Sequence, residues 1–203
     1  MDVQIWAARS DRPLTDRETE AMMQLPETWR EHALRTRDAD KRRDRLCAYG
    51  LLRLVLGERY HWRDLPPMAR ASCGKPYFPD YPAVQFSLSH TDGAVLVGVS
   101  RAPIGVDIER IRPIRGSVMR RFGEADTTEA FFQSWVRREA RSKRTGIGVT
   151  AMFPAEPPLE AGERFSLLET FPGYAAGAAV QYTEVPDTVC KASLEQILNA
   201  LDR

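Results

Sequence analysis

Three strand-like segments follow one another in the middle of the chain with no helix between them. Val84–Ser89 shows the inward and outward alternation of a strand, and Ala94–Ser100 and Ile104–Ile108 are rich in Val and Ile. Asp92 and Gly93, between the first two segments, form a typical hairpin signal. Because strands and helices are mixed along the chain without regular alternation, these adjacent strands predict an α+β protein.

The rest of the chain supplies the remaining elements of such a fold. Asp38–Tyr60 is the longest helical stretch, with apolar residues at helical spacing and Lys and Arg crowded at its start. Thr15, with Glu18 three residues later, is a capping-box pattern at the start of a shorter helix. The other predicted elements are a strand at Val3–Ala8, a helix at Thr127–Lys143, a closing hairpin formed by Phe165–Thr170 and Tyr174–Gln181, and a terminal helix at Ser193–Leu201.

Length and composition limit the class of protein. The 203 residues fit one domain or two small domains packed tightly, and the 43% hydrophobic content supports a packed core. Lys and Arg number 29 against 28 Asp and Glu, so the net charge of +1 argues against a general polyanion binder and makes any anion site a local cluster. The three widely spaced cysteines indicate neither a metal site nor a disulfide framework. With no signal peptide and no apolar run of about 18 residues, the sequence predicts a soluble, cytoplasmic protein.

Two carboxylates stand side by side in the segment Gly105-Val106-Asp107-Ile108-Glu109. Residues two apart in a strand face the same side, so Asp107 and Glu109 project together while Val106 and Ile108 face the core. The two carboxylates repel each other, and oxygen ligands suit a hard cation such as Mg²⁺. Taken alone, the pair is more commonly explained as two incidental acids at a solvated strand end.

The next set of polar residues lies on one face of a predicted helix. Trp135, Glu139 and Lys143 are spaced by four residues and therefore share that face. Glu139 can add a third carboxylate to a metal, and Lys143 can direct a cation at phosphate. The alternative is an ordinary Glu139–Lys143 ion pair on a solvated face, worth a few tenths of a kcal/mol.

Ser89 and His90 end a predicted strand just before a turn, where we expect their side chains to be exposed. Both can donate hydrogen bonds, so they are candidate phosphate ligands. A lone histidine is more often structural, and adjacent Ser and His do not by themselves make a nucleophile–base pair. His32 and His61 belong to no comparable group, and they are interpreted as structural or surface residues.

Two further groups supply cations. Gly74 and Pro76 fix the backbone around Lys75, and a fixed lysine is a good point-charge partner for phosphate, although a surface turn with a solvated lysine is the alternative. Cations at a helix N-terminus are unfavourable unless an anion binds there, or unless neighbouring aspartates balance a solvated face. The long helix opens with four such cations: Lys41, Arg42, Arg43 and Arg45.

The order of these motifs resembles that of one family. A basic helix start is followed by Gly74-Lys75-Pro76, by Phe86-Ser87-Leu88-Ser89-His90, by Gly105-Val106-Asp107-Ile108-Glu109, and by a helix with the pattern Trp, Glu-Ala, Lys, Gly-x-Gly from Trp135 to Gly148. This order is similar to that of the 4'-phosphopantetheinyl transferases of the surfactin-synthetase-activating type. The resemblance covers nearly the whole chain.

The resemblance implies a fold of two similar α/β halves related by a pseudo-twofold axis, with the site at their junction. Residues 1–101 would form the first half, which would contact the adenosine and 3'-phosphate of coenzyme A. Residues 102–203 would form the second half, which would carry the metal site and the docking surface for a carrier protein.

The resemblance also implies roles for individual residues. Asp107, Glu109 and Glu139 would hold Mg²⁺, with Mn²⁺ as an alternative. Lys143 would contact the pyrophosphate of coenzyme A, and Glu139 or a metal-bound water would be the general base, so that Asp107, Glu139 and Lys143 would form the catalytic set. The 3'-phosphate and adenosine would be bound by one arginine of the early helix and four further residues: Arg43 or Arg45, with Lys75, Pro76, Ser89 and His90.

The implied reaction transfers 4'-phosphopantetheine from coenzyme A to a serine of an apo acyl or peptidyl carrier protein and releases 3',5'-ADP. Coenzyme A and the carrier would be the partners, with no nucleic acid or membrane involved. A monomer would suffice, because two halves are fused in one chain. Fatty-acid, polyketide, nonribosomal-peptide and lysine-pathway carriers all remain open.

Two features depart from the family pattern. The usual lysine before the helix glutamate is Arg138, which stays charged and can bind phosphate, but with a different geometry. Arg138 and the second departure, a short segment 110–134, would fit a non-catalytic relative that binds coenzyme A or a carrier protein. The intact carboxylates and Lys143 favour the enzyme instead. A nucleic-acid-binding protein is a third interpretation, which the near-neutral charge disfavours. The segment 110–134 contains five arginines that would suit an acidic carrier: Arg110, Arg112, Arg115, Arg120 and Arg121.

Overall fold

The computed structural model describes residues 2–121, 127–153 and 155–201, apart from the side chains of residues 120 and 121. The helices are α1 (Asp16–Met22), α2 (Glu27–Leu34), α3 (Ala39–Tyr60), α4 (Gly116–Arg121), α5 (Thr128–Thr145) and α6 (Leu194–Leu201), with a short 3₁₀ helix at Val149–Met152. The strands are β1 (Val3–Arg9), β2 (Ala69–Arg70), β3 (Pro76–Tyr77), β4 (Gln85–Thr91), β5 (Ala94–Ser100), β6 (Ile104–Arg110), β7 (Glu163–Leu167), β8 (Tyr174–Gln181) and β9 (Cys190–Ala192).

The strands form two main sheets and one two-stranded ribbon. The larger sheet has the order β4-β5-β1-β9, in which β5 is antiparallel to both β4 and β1 and β9 is parallel to β1. The smaller sheet has the order β6-β8-β7 and is antiparallel throughout, whereas β2 and β3 pair with each other. This mixture of mainly antiparallel sheets and helices confirms the predicted α+β class.

The core explains why the strand pattern is so apolar. On one side of the larger sheet, Ile5 and Leu96 pack against Val106 and Ile108 of β6, so the two sheets face each other. On the other side, the larger sheet packs on α3, whose Leu52 belongs to the same buried cluster as strand residues of β4 and β5. As expected from strand alternation, Val106 and Ile108 are fully buried.

Local sequence signals set the helix starts. The Thr15 hydroxyl accepts from the amide of Glu18, whose carboxylate accepts from the Thr15 amide, which confirms the capping box. Asp38 caps α3 by accepting from the amide of Lys41, and Thr127 caps α5 through its hydroxyl. The hairpin at residues 92 and 93 is also present between β4 and β5.

Six elements were absent from the sequence prediction: α2, α4, the 3₁₀ helix, β2, β3 and β9. Helix α2 buries Trp29 and Ala33, four residues apart, but it follows Pro26 and has no side-chain cap. The short strands β2 and β3 span only two residues each, too few for a periodic pattern to show. Strand β9 has three residues and is recognisable only by its pairing with β1.

The end of the chain returns to the larger sheet. Strand β9 extends that sheet beyond β1, and α6 packs on α3, where a Cβ at Gly50 would lie 2.6 Å from Ile197 Cγ2. A boundary at residue 101 or 102 therefore does not separate the two sheets, because residues 190–201 complete the first one. Among the residues that the structure describes, no helix has the length and apolar character needed to cross a membrane.

Candidate active site

Strands β4 and β6 and helix α5 meet at one polar cluster. Ser89 Oγ donates to Asp107 Oδ1 at 2.7 Å and accepts from the amide of Ile108 at 3.2 Å, which binds the end of β4 to β6. Lys143 Nζ, from α5, donates to Asp107 Oδ1 at 2.6 Å and to Ser89 Oγ at 3.0 Å. Ser89 is 5% exposed, so the prediction of an exposed serine is wrong: the smaller sheet covers it.

The helix face predicted to carry Glu139 and Lys143 points at these strands. Lys143 of α5 forms an ion pair with Asp107 of β6. Among the described residues, no ion pair joins Lys143 to Glu139. Burial raises the pKa of Glu139, and the nearby charge of Asp107 raises it further. An incidental ion pair on a solvated helix face therefore does not describe this site.

Glu109 lies beside the same cluster. Its Oε2 accepts from Thr91 Oγ1 at 3.1 Å and lies 3.4 Å from Arg112 Nη1. Burial and then the charge of Asp107 raise the pKa of Glu109. Three partly desolvated carboxylates thus act electrostatically on one another, which costs free energy unless a cation offsets it.

The donor set fits a hard divalent cation in its chemistry. All three candidate ligands are carboxylates, and Asp107 Oδ2 is buried with no hydrogen-bond partner among the described residues. The carboxylates nevertheless do not converge, because within residues 2–121, 127–153 and 155–201 no group of three His, Cys, Asp or Glu side chains is arranged to hold a metal ion. The Lys143 ammonium supplies the positive charge beside Asp107 in this arrangement.

A cavity of about 270 Å³ opens next to Lys143. Its wall carries four cations, Arg45, Arg70, Lys75 and Lys143, together with the histidines His32 and His90. Tyr49, Pro76 and the glycines at 74, 146 and 148 complete much of the lining. A local concentration of cations in a nearly neutral protein indicates a site for an anionic ligand.

Arg45 and His90 meet at this cavity from α3 and β4. Arg45 Nε donates to His90 Nε2 at 3.2 Å, and Arg45 Nη1 donates to Thr36 Oγ1 at 2.7 Å. Burial, assisted by the charge of Arg45, lowers the pKa of His90 to about 4. The imidazole is therefore neutral at pH 7, and Nε2 is assigned as the acceptor because Arg45 can only donate.

Arg43 does not line this cavity. Its Nη1 is 2.5 Å from Asp40 Oδ1, and its Nη2 is 2.9 Å from Asp44 Oδ1. Asp44 is 2% exposed and also accepts from Ser10 Oγ, so Arg43 belongs to a structural cluster under the start of α3. Of the two arginines that the sequence left open, Arg45 is the one that lines the cavity.

Lys75 and Arg138 also differ from expectation. Lys75 lines the cavity, but its Nζ donates to the backbone carbonyls of Ile104 and Arg144. The Arg138 guanidinium lies 4.8 Å from the ring centroid of Phe153, with Nε 3.8 Å from Glu156 Oε2. These contacts place Arg138 on a different side of α5 from Lys143, away from the cavity lining.

The arginines before α5 are only partly described. Arg110, Arg112 and Arg115 precede α4, and Arg115 is exposed. Arg112 also lies over the ring of Phe132, with its Cζ 5.4 Å from the centroid. The side chains of Arg120 and Arg121 lie outside the described residues.

Sequence reasoning missed three members of the cavity wall. His32 was interpreted as a structural or surface residue, and neither Tyr49 nor Arg70 was assigned to a binding site. Arg70 Nη2 donates to Tyr49 Oη at 2.9 Å, so these two residues form a unit. No local pattern marks them, because their partners are distant in sequence.

The fold thus places a cavity suited to an anionic ligand beside a carboxylate cluster, and the sequence is similar to those of several known enzymes. The 4'-phosphopantetheinyl transferase Sfp of Bacillus subtilis strain 168 is 24% identical over 97% of this chain and 100% of its own length. The 4'-phosphopantetheinyl transferase ffp of B. subtilis is 25% identical over the same shares, 97% and 100%. HetI of a Nostoc species, also named a 4'-phosphopantetheinyl transferase, is 30% identical over 54% of this chain and 57% of its own. No family model matches the chain.

These relatives confirm the resemblance seen in the motifs. The chain is related over nearly its whole length to the 4'-phosphopantetheinyl transferases of the surfactin-synthetase-activating type. The shared enzyme name of several relatives supports an enzyme of this class.

Proposed function

We propose that this protein transfers the 4'-phosphopantetheine moiety of coenzyme A to a serine of an apo acyl or peptidyl carrier protein, with release of 3',5'-ADP. The observation that supports this most is the Lys143 ammonium, which joins Asp107 and Ser89 at the edge of a basic cavity. Side chains from β4, β6 and α5 meet there, and the Lys143 ammonium can contact a pyrophosphate. The names of the full-length relatives support the same reaction.

Coenzyme A would enter with its 3'-phosphate and adenosine in the cavity. Arg45 and His90 are the side chains proposed to hold the phosphate, since they already contact each other in the cavity wall. Arg70, fixed by Tyr49, adds a second guanidinium to that wall. Pro76, as the family resemblance implies, would complete this end of the site, whereas Ser89 would act beside Asp107 and Lys143.

The chemistry asks for positioning and charge neutralisation rather than a covalent intermediate. The carrier serine oxygen attacks the phosphorus that bears the pantetheine arm, a new O–P bond forms, and the P–O bond to 3',5'-ADP breaks. Lys143 offsets charge on the pyrophosphate, and Glu139 is the proposed acceptor of the serine proton. The leaving group keeps the bridging oxygen with its electron pair.

Asp107, Glu109 and Glu139 are proposed to hold Mg²⁺, with Mn²⁺ as an alternative. When bound, the cation would neutralise negative charge on the pyrophosphate. The unpartnered Asp107 Oδ2 and the mutual repulsion of the three carboxylates support this assignment.

We further infer that residues 1–101 and 102–203 form two similar halves related by a pseudo-twofold axis, with β9 and α6 of the second half returning to the larger sheet and α3. In support, each main sheet has a long helix packed against it, α3 on one and α5 on the other. Such a chain would work as a cytoplasmic monomer, without nucleic acid or membrane.

Intact-protein mass spectrometry tests the function directly. An apo carrier protein is incubated with this protein, coenzyme A and Mg²⁺, and the expected result is a mass gain of one phosphopantetheine. EDTA and the substitution Asp107→Ala should both abolish the gain, whereas Glu129→Gln on the exposed start of α5 should leave it unchanged. No gain with several carrier types, while coenzyme A still binds, would instead identify a non-catalytic relative.

A further inference from the structure

The ammonium group of Lys75 is directed at backbone rather than at the open cavity. Nζ donates to the carbonyl oxygen of Arg144 at 2.9 Å and to that of Ile104 at 3.2 Å. Burial lowers the pKa of Lys75 to about 8, as expected for a cation held among partly desolvated groups. Two of its three donors are thus already used by one helix and one strand.

The first of these acceptors lies in the last turn of α5. That helix ends at Thr145, and Gly146 follows in the left-handed conformation with φ of 82°. The last four carbonyls of an α-helix have no donor within the helix, and a cation there also interacts favourably with the helix dipole. Lys75 therefore acts as a C-terminal cap of α5 that comes from a distant part of the chain.

The second acceptor lies where α5 and β6 are closest. Ile104 begins β6, and a Cβ on the next residue, Gly105, would collide with the carbonyl oxygen of Ala140 and the amide nitrogen of Arg144. The backbones of strand and helix are therefore in direct contact at this crossing. Lys75 bonds to both elements at the same point.

The loop that carries Lys75 is itself well anchored. The Gly74 amide donates to the Ala71 carbonyl at 2.8 Å, and the Ala71 amide donates to the Lys75 carbonyl at 3.0 Å. Arg70 Nη1 donates to the Gly74 carbonyl at 2.9 Å. A lysine on such a closed turn can hold the elements that it contacts at a fixed distance.

The crossing matters because each element carries part of the site. Strand β6 carries Asp107 three residues after Ile104, and α5 carries Lys143 directly before Arg144. A small shift at the crossing would therefore change the distance between Lys143 Nζ and Asp107 Oδ1, which is 2.6 Å. Misplacements of about 1 Å are known to cost large factors in rate.

We propose that Lys75 is a positioning residue, which fixes the crossing of β6 and α5 and thereby the spacing of Asp107 and Lys143, and that it does not bind the 3'-phosphate of coenzyme A. This inference rests on the proposed function and adds that Lys75 acts through the backbone of its neighbours. Arg45, with its guanidinium at the cavity wall, provides the contrasting case of a side chain proposed to bind the ligand.

The test compares Lys75→Met with Lys75→Arg and with Lys191→Met, which removes an exposed lysine near Phe171, far along the chain from the site. Steady-state transfer is measured with coenzyme A and with 3'-dephospho-coenzyme A, well below the Tm of each variant. For Lys75→Met we expect kcat to fall about tenfold with both donors, with KM changed by about twofold at most. The ratio of kcat/KM for the two donors should stay at the wild-type value.

Two further results are expected if Lys75 positions the site. The Tm of Lys75→Met should fall by about 3 °C, because two carbonyls lose their donor, and that of Lys191→Met should not change. Lys75→Arg should restore much of kcat, since it keeps the charge and the donors. Lys75→Gln, which retains an amide donor, allows the same comparison if Lys75→Met does not fold.

Other outcomes would overturn the inference. A donor ratio that collapses towards one in Lys75→Met, with kcat retained, would show that Lys75 binds the 3'-phosphate. Unchanged kcat and Tm would show that it has neither role. If the wild-type protein transfers nothing, the proposed function fails, and an equal Tm for Lys75→Met and Lys191→Met would then refute the capping role as well.

Discussion

Arg45 Nε lies 3.2 Å from His90 Nε2, so a helix cation and a strand imidazole meet across forty-five positions of sequence. The contact requires a neutral imidazole, because a protonated one would have no lone pair to accept with. Burial first, and then the charge of Arg45, lowers the pKa of His90 to about 4. The same contact predicts how the fold responds to acid.

We expect the free energy of unfolding to fall as the pH drops from 6.5 to 4, by up to about 3 kcal/mol from His90 alone. The unfolded chain takes up a proton on this histidine near pH 6.5, whereas the folded protein does so only near pH 4, so acid favours unfolding. Urea unfolding of the wild type and of His90→Gln across this range isolates the contribution. An identical pH dependence in both proteins would contradict the assignment.

Arg45→Ala and Arg43→Ala should have different consequences, although the residues are two positions apart. Removal of Arg45 should raise the KM for coenzyme A roughly tenfold or more, and should affect 3'-dephospho-coenzyme A much less. Removal of Arg43 should leave both KM values near wild type. It should lower the free energy of unfolding by about 2 kcal/mol, because buried Asp44 loses its charged partner. Enzyme kinetics and urea unfolding of both variants distinguish the two roles, and a reversal of the effects would refute them.

Mg²⁺ should stabilise the free protein without any substrate. Cation binding offsets the repulsion among Asp107, Glu109 and Glu139, and a ligand at about 100 times its Kd adds about 2.7 kcal/mol to the free energy of unfolding. Asp107→Asn should lose most of this increment, whereas Glu129→Gln, a carboxylate at the exposed start of α5, should keep it. Denaturant titrations with and without Mg²⁺ give the increment for each protein. Equal increments for Asp107→Asn and the wild type would place the metal elsewhere.

The far side of α5 should depend on a buried ion pair. Arg141 Nε donates to Glu163 Oε1 at 2.8 Å, and the Glu163 side chain is fully buried. Arg141→Met should lower the free energy of unfolding by about 3 kcal/mol, because the only cation left beside Glu163 is Arg144 at the longer distance of 3.4 Å, although the Glu160 amide still donates to its carboxylate. The exposed pair of Arg164 and Glu184 is the matched control, and Arg164→Met should cost less than about 1 kcal/mol. Similar losses in the two variants would show that burial does not determine the cost.

Docking of an acidic carrier should depend on Arg115. This residue is exposed before α4, so Arg115→Glu should raise the KM for the carrier several-fold while the KM for coenzyme A stays constant. Arg112→Glu is a less specific variant, because Arg112 also lies 3.4 Å from Glu109. The effect should weaken at high salt. A carrier KM that does not respond to Arg115→Glu would indicate that this arginine is merely solvated.

Much of the secondary structure follows from local sequence. Alternation places Val106 and Ile108 in the core and Asp107 and Glu109 on the other face, and spacing by four puts Glu139 and Lys143 on one face of α5. Capping residues set the starts of α1, α3 and α5 within one position. These signals depend on near neighbours only, which is why they can be read without tertiary information. The two-residue and three-residue strands carry no such signal, and the sequence did not predict them.

Contacts between distant segments were decided by the tertiary structure. Arg43 and Arg45 have the same side chain on one helix, and only the packing of α3 on β4 makes Arg45 the neighbour of His90. Ser89 looks exposed at the end of its strand, but the smaller sheet covers it and Asp107 accepts a hydrogen bond from its hydroxyl. The sequence by itself determined the elements, the faces of those elements and the order of the motifs, because these depend on local periodicity. The tertiary structure decided which cations line the cavity and which hold the backbone, because the burial and the partners of a side chain depend on elements that are far away in sequence.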